Sequence, residues 1–330
     1  MRRSTHPTMQ EVGEFGFIDS ILPKLGKRRD VLVGPGHDCA VVRSPGRAWL
    51  VTVDSLVEGV HFKRHWLSPR QLGRKSFLIN ASDIAAMGGQ PRFCLVNFGV
   101  PPTYRSADLV RVQAGIVSAA DELGAAVVGG NLSQATQLSI TITLLGEAPS
   151  RLCTRAGAQP GDQIFLTGTI GAAALAVHQW LRGGTPSGAA VRRFREPEPR
   201  VRAGKALVES RLISSMIDVS DGLVQDLGHV CKASGVGAHV ELERIPIAPV
   251  CRKLPNSATR LALSGGEDYE LLCTVPAHNL TRLKHLQAAL GCPIHRIGEI
   301  THGRGVKVVD ATGKRLRFDH GGFDHFASRR

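Results

Sequence analysis

Several familiar signatures are missing from this 330-residue sequence. It contains no Gly-x-x-x-x-Gly-Lys-Ser/Thr, so it is not a P-loop protein. The run Gly235-Val236-Gly237-Ala238-His239-Val240 lacks the third glycine of a dinucleotide fingerprint. Gly-x-Ser-x-Gly and His-Glu-x-x-His are also absent, which removes the usual serine-hydrolase and zinc-protease motifs. No window approaches 18 uninterrupted apolar residues, so no membrane span is expected. Aromatic residues make up only 5% of the chain, leaving few platforms on which single-stranded bases could stack. The seven cysteines (39, 94, 153, 231, 251, 273, 292) include no Cys-x-x-Cys pair, which argues against a zinc ribbon or a disulfide scaffold. The basic start Met1-Arg2-Arg3-Ser4-Thr5-His6-Pro7 has no apolar core behind it and does not read as a secretory signal. An odd cysteine count without such a signal points to a reducing, cytoplasmic setting.

What is present describes an ordinary folded protein. Hydrophobic residues make up 42% and charged residues 21%, and 37 glycines imply many tight turns. The length suits two domains with substantial cores. A net charge of +13 invites a polyanion, but the arginines are spread along the chain. They cluster only at Lys27-Arg28-Arg29, Arg192-Arg193 and Arg329-Arg330. Nucleic acid is therefore not the expected partner, whereas a phosphorylated small molecule would use the same charge.

Strand and helix patterns alternate throughout, so the class is mixed α/β or α+β in two lobes. The spacing predicts helices over 14–25, 68–87, 107–123, 168–180, 204–209, 223–234 and 280–290. Strands are predicted over 31–33, 47–54, 93–100, 125–128, 138–145, 163–167, 216–219, 239–242, 269–275 and 306–309. The strand over 125–128 runs into Gly129-Gly130-Asn131, and the pattern restarts near residue 150.

Chemistry is suggested by carboxylates in glycine-rich or strand-to-turn settings: Asp38, Asp54, Asp83, Asp218 and Asp221. The run 50–62 is the plainest case, a buried apolar strand ending on Asp54 with His61 beyond it. A buried carboxylate is costly unless donors or a cation meet it. Five such positions without matching basic neighbours suggest divalent cations, and Mg²⁺ typically bridges carboxylates to phosphates. A kinase without a P-loop would need such a cluster. The plainer alternatives are that Asp54 caps its own turn and that Asp218 or Ser220 caps the helix beginning near Gly222. Glu267-Asp268, after Gly265-Gly266, reads as a ligand-side loop or a hairpin turn.

These segments together resemble the thiamine-monophosphate kinase family, in the superfamily that includes aminoimidazole ribonucleotide synthetase and selenophosphate synthetase. The resemblance rests on Gly13-Glu14-Phe15, Gly36-His37-Asp38-Cys39-Ala40, residues 54–62 and residues 80–88. It continues in Arg155-Ala156-Gly157, residues 217–223, residues 265–271 and Gly322-Phe323-Asp324-His325-Phe326. It implies a two-lobed fold with domains at 1–150 and 151–330, and a homodimer whose N-terminal lobes form a β-barrel. It also implies ATP-dependent, Mg²⁺-assisted phosphorylation of thiamine monophosphate to the diphosphate. By position, Asp38, Thr52, Asp54, Asp83, Asp218 and Asp221 resemble metal ligands, with Asp54, Asp83 and Asp218 the catalytic acids. Gly130, Asn131, Arg155 and Ser220 resemble ATP contacts, and His61, Glu267 and Phe323 substrate contacts.

The sequence departs from the family pattern at His37 and Val53 and at Ala172, and most densely at Asn131, Leu132 and Gln134. The last group replaces an acid, a hydroxyl and an arginine. Two alternatives follow: a homologue that binds nucleotide or a thiamine phosphate without turnover, and a related enzyme with another acceptor.

Overall fold

The computed structural model describes residues 8–26, 28–253, 255–316, 322–323 and 325–326. Lys27, Asp324 and the terminal Arg329-Arg330 lie outside the described residues. The first half comprises α1 (Met9–Ile21), β1 (Val31–Val33), β2 (Ala40–Ser44), β3 (Arg47–Val57), α2 (Pro69–Ala86), β4 (Gln90–Val100), α3 (Ser106–Glu122), β5 (Ala126–Gln134) and β6 (Ser139–Glu147). Its six strands form one sheet in the order β1-β2-β3-β6-β4-β5, curled into a half-barrel. All neighbours are antiparallel except β4 and β5.

The second half comprises β7 (Gln163–Thr167), α4 (Ala172–Leu181), α5 (Gly188–Arg195), α6 (Val201–Ser210), β8 (Ser215–Val219), α7 (Leu223–Ser234) and β9 (Gly237–Glu241). It continues with α8 (Pro255–Ser264), β10 (Glu270–Val275), α9 (Leu280–Leu290), β11 (Ile294–Thr301) and β12 (Gly305–Val309). These strands form a second sheet, β12-β9-β11-β7-β10-β8. The architecture is the α+β, two-lobed arrangement expected.

Helix α2 joins the two lobes. Ser68 caps it, accepting from the Gln71 N–H at 3.3 Å while the Gln71 side chain returns to the Ser68 N–H at 3.1 Å. Apolar and small residues surround the helix, so it is buried on nearly every side. It packs on α3, β3 and β6 of its own lobe and on α6 and β8 of the other. Close approach is bought with glycine: a Cβ on Gly73 would strike the Val112 carbonyl of α3, and one on Gly204 of α6 would strike the Ala85 carbonyl. The first hydrophobic core crosses the lobe boundary, taking in Phe194 and Tyr269 with Phe77 and Ile84.

Two expectations change. Strand β3 runs on to Val57, so Asp54 lies within a strand and is not the cap of a turn after it. The strand predicted over 125–128 also runs further: β5 continues through Gly129-Gly130-Asn131, in parallel register with Leu95, Val96 and Asn97 after a register shift at Cys94/Leu95. A Cβ on Gly130 would strike the Val96 carbonyl, so this glycine permits the close strand contact.

Candidate active site

The acids collect where the two lobes meet on α2. Asp38 lies just before β2, Asp83 in the last turns of α2 and Asp218 in β8. One carboxylate oxygen from each lies within 4.8 Å of the others. A loop, a helix and a strand from both lobes thus converge on one point. Thr52 of β3 donates its hydroxyl to Asp83, and Ser82 donates to Asp218 at 2.7 Å. Arg155 approaches Asp38 with two nitrogens, at 3.0 and 3.4 Å. Asp54 stands beside this group, its backbone N–H donating to Asn80 Oδ1 at 2.9 Å.

Electrostatics in this cluster are unfavourable. Burial, then the charges of Asp54, Asp218 and Asp38, hold the Asp83 carboxyl well above the usual range. Burial and then Asp38 push Asp218 up to about 7, against the opposing pull of Ser82 and Arg155. Burial and the nearby Glu267 raise Asp54 to about 6. Groups shifted this way lack positive charge. The donors are all oxygens, with no thiolate or imidazole among them, which fits a hard divalent cation such as Mg²⁺.

A second group adjoins the first. Donor atoms of Asp221, Asp226 and His229 also lie within 4.8 Å of one another. Asp226 Oδ2 accepts the backbone N–H groups of Ser220, Asp221 and Gly222 at 3.0 to 3.1 Å. This answers the capping question: neither Asp218 nor Ser220 caps α7, and a carboxylate from within the helix ties down the turn instead. Asp226 was not singled out from the sequence, although an acid four residues into a helix after Ser-Asp-Gly is a usable signal. Burial raises Asp221 to about 6.

A group of rings lies near the acids. The Val57 N–H donates to His61 Nδ1 at 3.0 Å, which puts the imidazole proton on Nε2. Burial and then His325 push the His61 pKa down, keeping it neutral. The His61 and His325 rings lie 5.0 Å apart, and His325 and Phe323 4.9 Å apart. Phe323 is held against Asp221, its N–H donating to the Asp221 carbonyl at 3.1 Å while the Gln225 side chain donates to the Phe323 carbonyl at 2.8 Å. The loop carrying Glu267 completes the site: its N–H donates to the Ser220 carbonyl at 2.7 Å. This loop links α8 to β10 and is no hairpin turn, since β10 pairs with β7 and β8.

Contacts and mutual charge effects therefore link Asp38, Thr52, Asp54, Asp83, Arg155, Asp218, Ser220, Asp221, His61, Glu267 and Phe323 into one region. Asn131 is not among them. Register aligns Ser55, Thr141, Asn97 and Asn131 in one row, and Asp54, Ile142, Val96 and Gly130 in the next. Because successive strand residues face opposite sides, Asn131 faces away from Asp54, and it donates to Asn97 Oδ1 at 3.0 Å. Gly130 shares the Asp54 row, three strands away, roughly 14 Å at the usual spacing.

Comparison with known proteins agrees with this geometry. Residues 36–148 match the AIR synthase related protein N-terminal domain, and residues 159–311 match its C-terminal domain. The thiamine-monophosphate kinase of Bacillus subtilis (strain 168) is 35% identical over 323 residues, covering 95% of this chain and 99% of that protein. That of Escherichia coli (strain K12) is 36% identical, covering 96% and 99%. The chain belongs to the thiamine-monophosphate kinase family. A solved structure of AaThiL complexed with AMPPCP and TMP superposes with a TM-score of 0.85 at 31% identity, covering 98% of this chain and all of that one. The family and fold expected from the sequence are thus both found.

Proposed function

We propose that the chain transfers the γ-phosphoryl group of ATP to the phosphate of thiamine monophosphate, giving thiamine diphosphate, in line and without a covalent enzyme intermediate. The observation that carries this is the convergence of Asp38, Asp83 and Asp218 from both lobes on one point, in a family whose members bear that name. Asp38, Thr52, Asp54, Asp83, Asp218 and Asp221 would hold the cations, with Asp54, Asp83 and Asp218 central. Bound there, Mg²⁺ would neutralise the carboxylates and screen charge on the transferred phosphoryl group. Arg155 pairs with Asp38, and on this reading it would pass to a nucleotide phosphate once a cation takes over that carboxylate. Ser220 and Gly130 are the other proposed nucleotide contacts. Neutral His61, Phe323 and Glu267 form the acceptor side, and the rigid pairing of β3, α2 and β8 supplies the alignment on which phosphoryl transfer depends.

The proposal includes a homodimer. Helices cover one face of the first sheet, while on the other Val53, Phe93 and Leu95 are 58, 42 and 43% exposed, an apolar patch that suits a second copy. Residues 1–150 would supply that interface and most cation ligands, and residues 151–330 would complete the cleft. No helix among the described residues is long and apolar enough to cross a membrane. The seven cysteines are free thiols, which suits the reducing cytoplasm proposed as its setting.

Purified protein with ATP, Mg²⁺ and thiamine monophosphate is expected to release ADP and form the diphosphate. No turnover above an Asp54→Ala control would overturn the proposal. Because Asn131 faces away from the acids, its loss of charge removes no ligand from the Asp38–Asp83–Asp218 group, which favours an active kinase over a homologue that only binds.

A further inference from the structure

Lys75 of α2 has no role in the reaction as described, yet its side chain is completely buried. Its ammonium donates to the Phe194 carbonyl at 2.8 Å, lies 3.6 Å from the centre of the Phe194 ring and ion-pairs with Glu267. Burying a lysine is costly, and apolar replacement of a buried ion pair is often neutral or stabilising, so stability alone is a poor account of it. Its partner is also unusual. Glu267 has φ +66° and Tyr269 φ +53°, left-handed conformations that side-chain-bearing residues rarely adopt. Such conformations persist where the surroundings impose them, and they gather at functional sites.

The surroundings here are specific. Gly266, at φ +66°, turns the loop toward Ser220 and Asp221, and a Cβ there would crowd the Ser220 carbonyl. The N–H groups of Glu267 and Tyr269 then donate to the carbonyls of Ser220 and Val219 at 2.7 and 2.8 Å. At the side-chain end, Glu267 Oε2 receives Lys75 and, at 3.4 Å, the Tyr269 hydroxyl. Oε1 makes no hydrogen bond among the described residues. One carboxylate oxygen is thus clamped from the opposite lobe and the other is left for a ligand.

We propose that Lys75 is a positioning residue that fixes the Glu267 carboxylate across the lobe boundary, so that its second oxygen can meet a positively charged or N–H-bearing group of the phosphate acceptor. This rests on the functional reading above. Lys75 touches neither nucleotide nor acceptor. It acts through Glu267, so the pair reads the acceptor and leaves nucleotide binding alone.

The test is a double-mutant cycle on Lys75→Met, Glu267→Gln and the double variant, with amide hydrogen exchange as a second readout. Lys75→Met is expected to raise KM for thiamine monophosphate by about tenfold, with KM for ATP within about twofold of wild type. The double variant should be no worse than Glu267→Gln alone. Exchange at the Glu267 and Tyr269 amides should quicken in Lys75→Met. Lys75→Gln, which keeps a donor, should recover part of each effect, and it carries the same readouts should Lys75→Met fail to fold. Additive effects, equal losses for ATP and acceptor, or unchanged exchange at both amides would overturn the proposal. A wild type without turnover would overturn the functional reading alone, since exchange would still decide the role of Lys75.

Discussion

Glu270 and Asp218 stand on the paired strands β10 and β8, both buried, and their surroundings could hardly differ more. Glu270 receives the Thr167 hydroxyl at 2.7 Å, Arg193 at 2.6 Å and two nitrogens of Arg200 at 2.6 and 2.7 Å. Every lone pair is met and its charge is balanced by the chain itself. Asp218 receives one hydroxyl and faces Asp38, Asp83 and Asp54, with a single shared arginine. A protein that can neutralise a buried acid so fully in one place, and does not do so one strand away, has left the second site for charge from outside. The first acid is architecture, joining β10 to α5 and the start of α6. The second is chemistry.

The largest way to break this comparison is Glu270→Gln. It leaves two partly buried guanidinium groups with only the exposed Glu198 as a carboxylate partner and should cost up to about 3 kcal/mol of stability, read as a lower denaturant midpoint. A loss no larger than that from a surface substitution would erase the distinction. Asp218→Asn should do the reverse, lowering kcat by about 10²–10³-fold while leaving metal-free stability equal or higher. Calorimetry in chelator beside steady-state kinetics checks both halves, and a destabilised variant with normal kcat would contradict them.

A smaller effect follows from pH. Asp54 and Asp218 titrate near 6 and 7 in the folded chain, against an ordinary carboxylate value of 3.8. Between about pH 4 and pH 7 the folded chain therefore binds more protons than the unfolded one, so metal-free stability should fall as pH rises through that window. Mg²⁺ should recover it most at pH 8, where the carboxylates are charged, and scanning fluorimetry with and without Mg²⁺ shows the difference directly. The smallest effect is expected for Asn131→Asp, on the face turned away from the acids. It should change kcat/KM by less than about threefold. A large gain would show that this face joins the site.

Much of this was legible in the sequence, and the reason differs from one part to the next. The spans of β7, α7 and α9 follow directly from local periodicity. Strand β11 was missed because a register shift between Arg296 and Gly298 interrupts its alternation. Helix α5 was missed because it starts at the end of a Gly/Pro/Ser-rich run and carries three arginines. The acids were found because carboxylates beside glycines and buried strands stand out singly. Lys75 and the arginines on Glu270 did not stand out, since each is an ordinary basic residue on a helix or at its edge. Their meaning comes from partners 192, 77 and 70 residues away. Asn131 was read as part of the site from its match to the family's motif, whereas the face it occupies is set by register, a property of the folded sheet.

The central claim is that Asp38, Asp83 and Asp218 await a cation, and proton release tests it most directly. Mg²⁺ titrated into the wild-type chain near pH 6.5 should release protons from carboxylates held above their usual range, while the Asp83→Asn/Asp218→Asn double variant should release few or none. Equal release from the two proteins, or none from the wild type, would contradict the account.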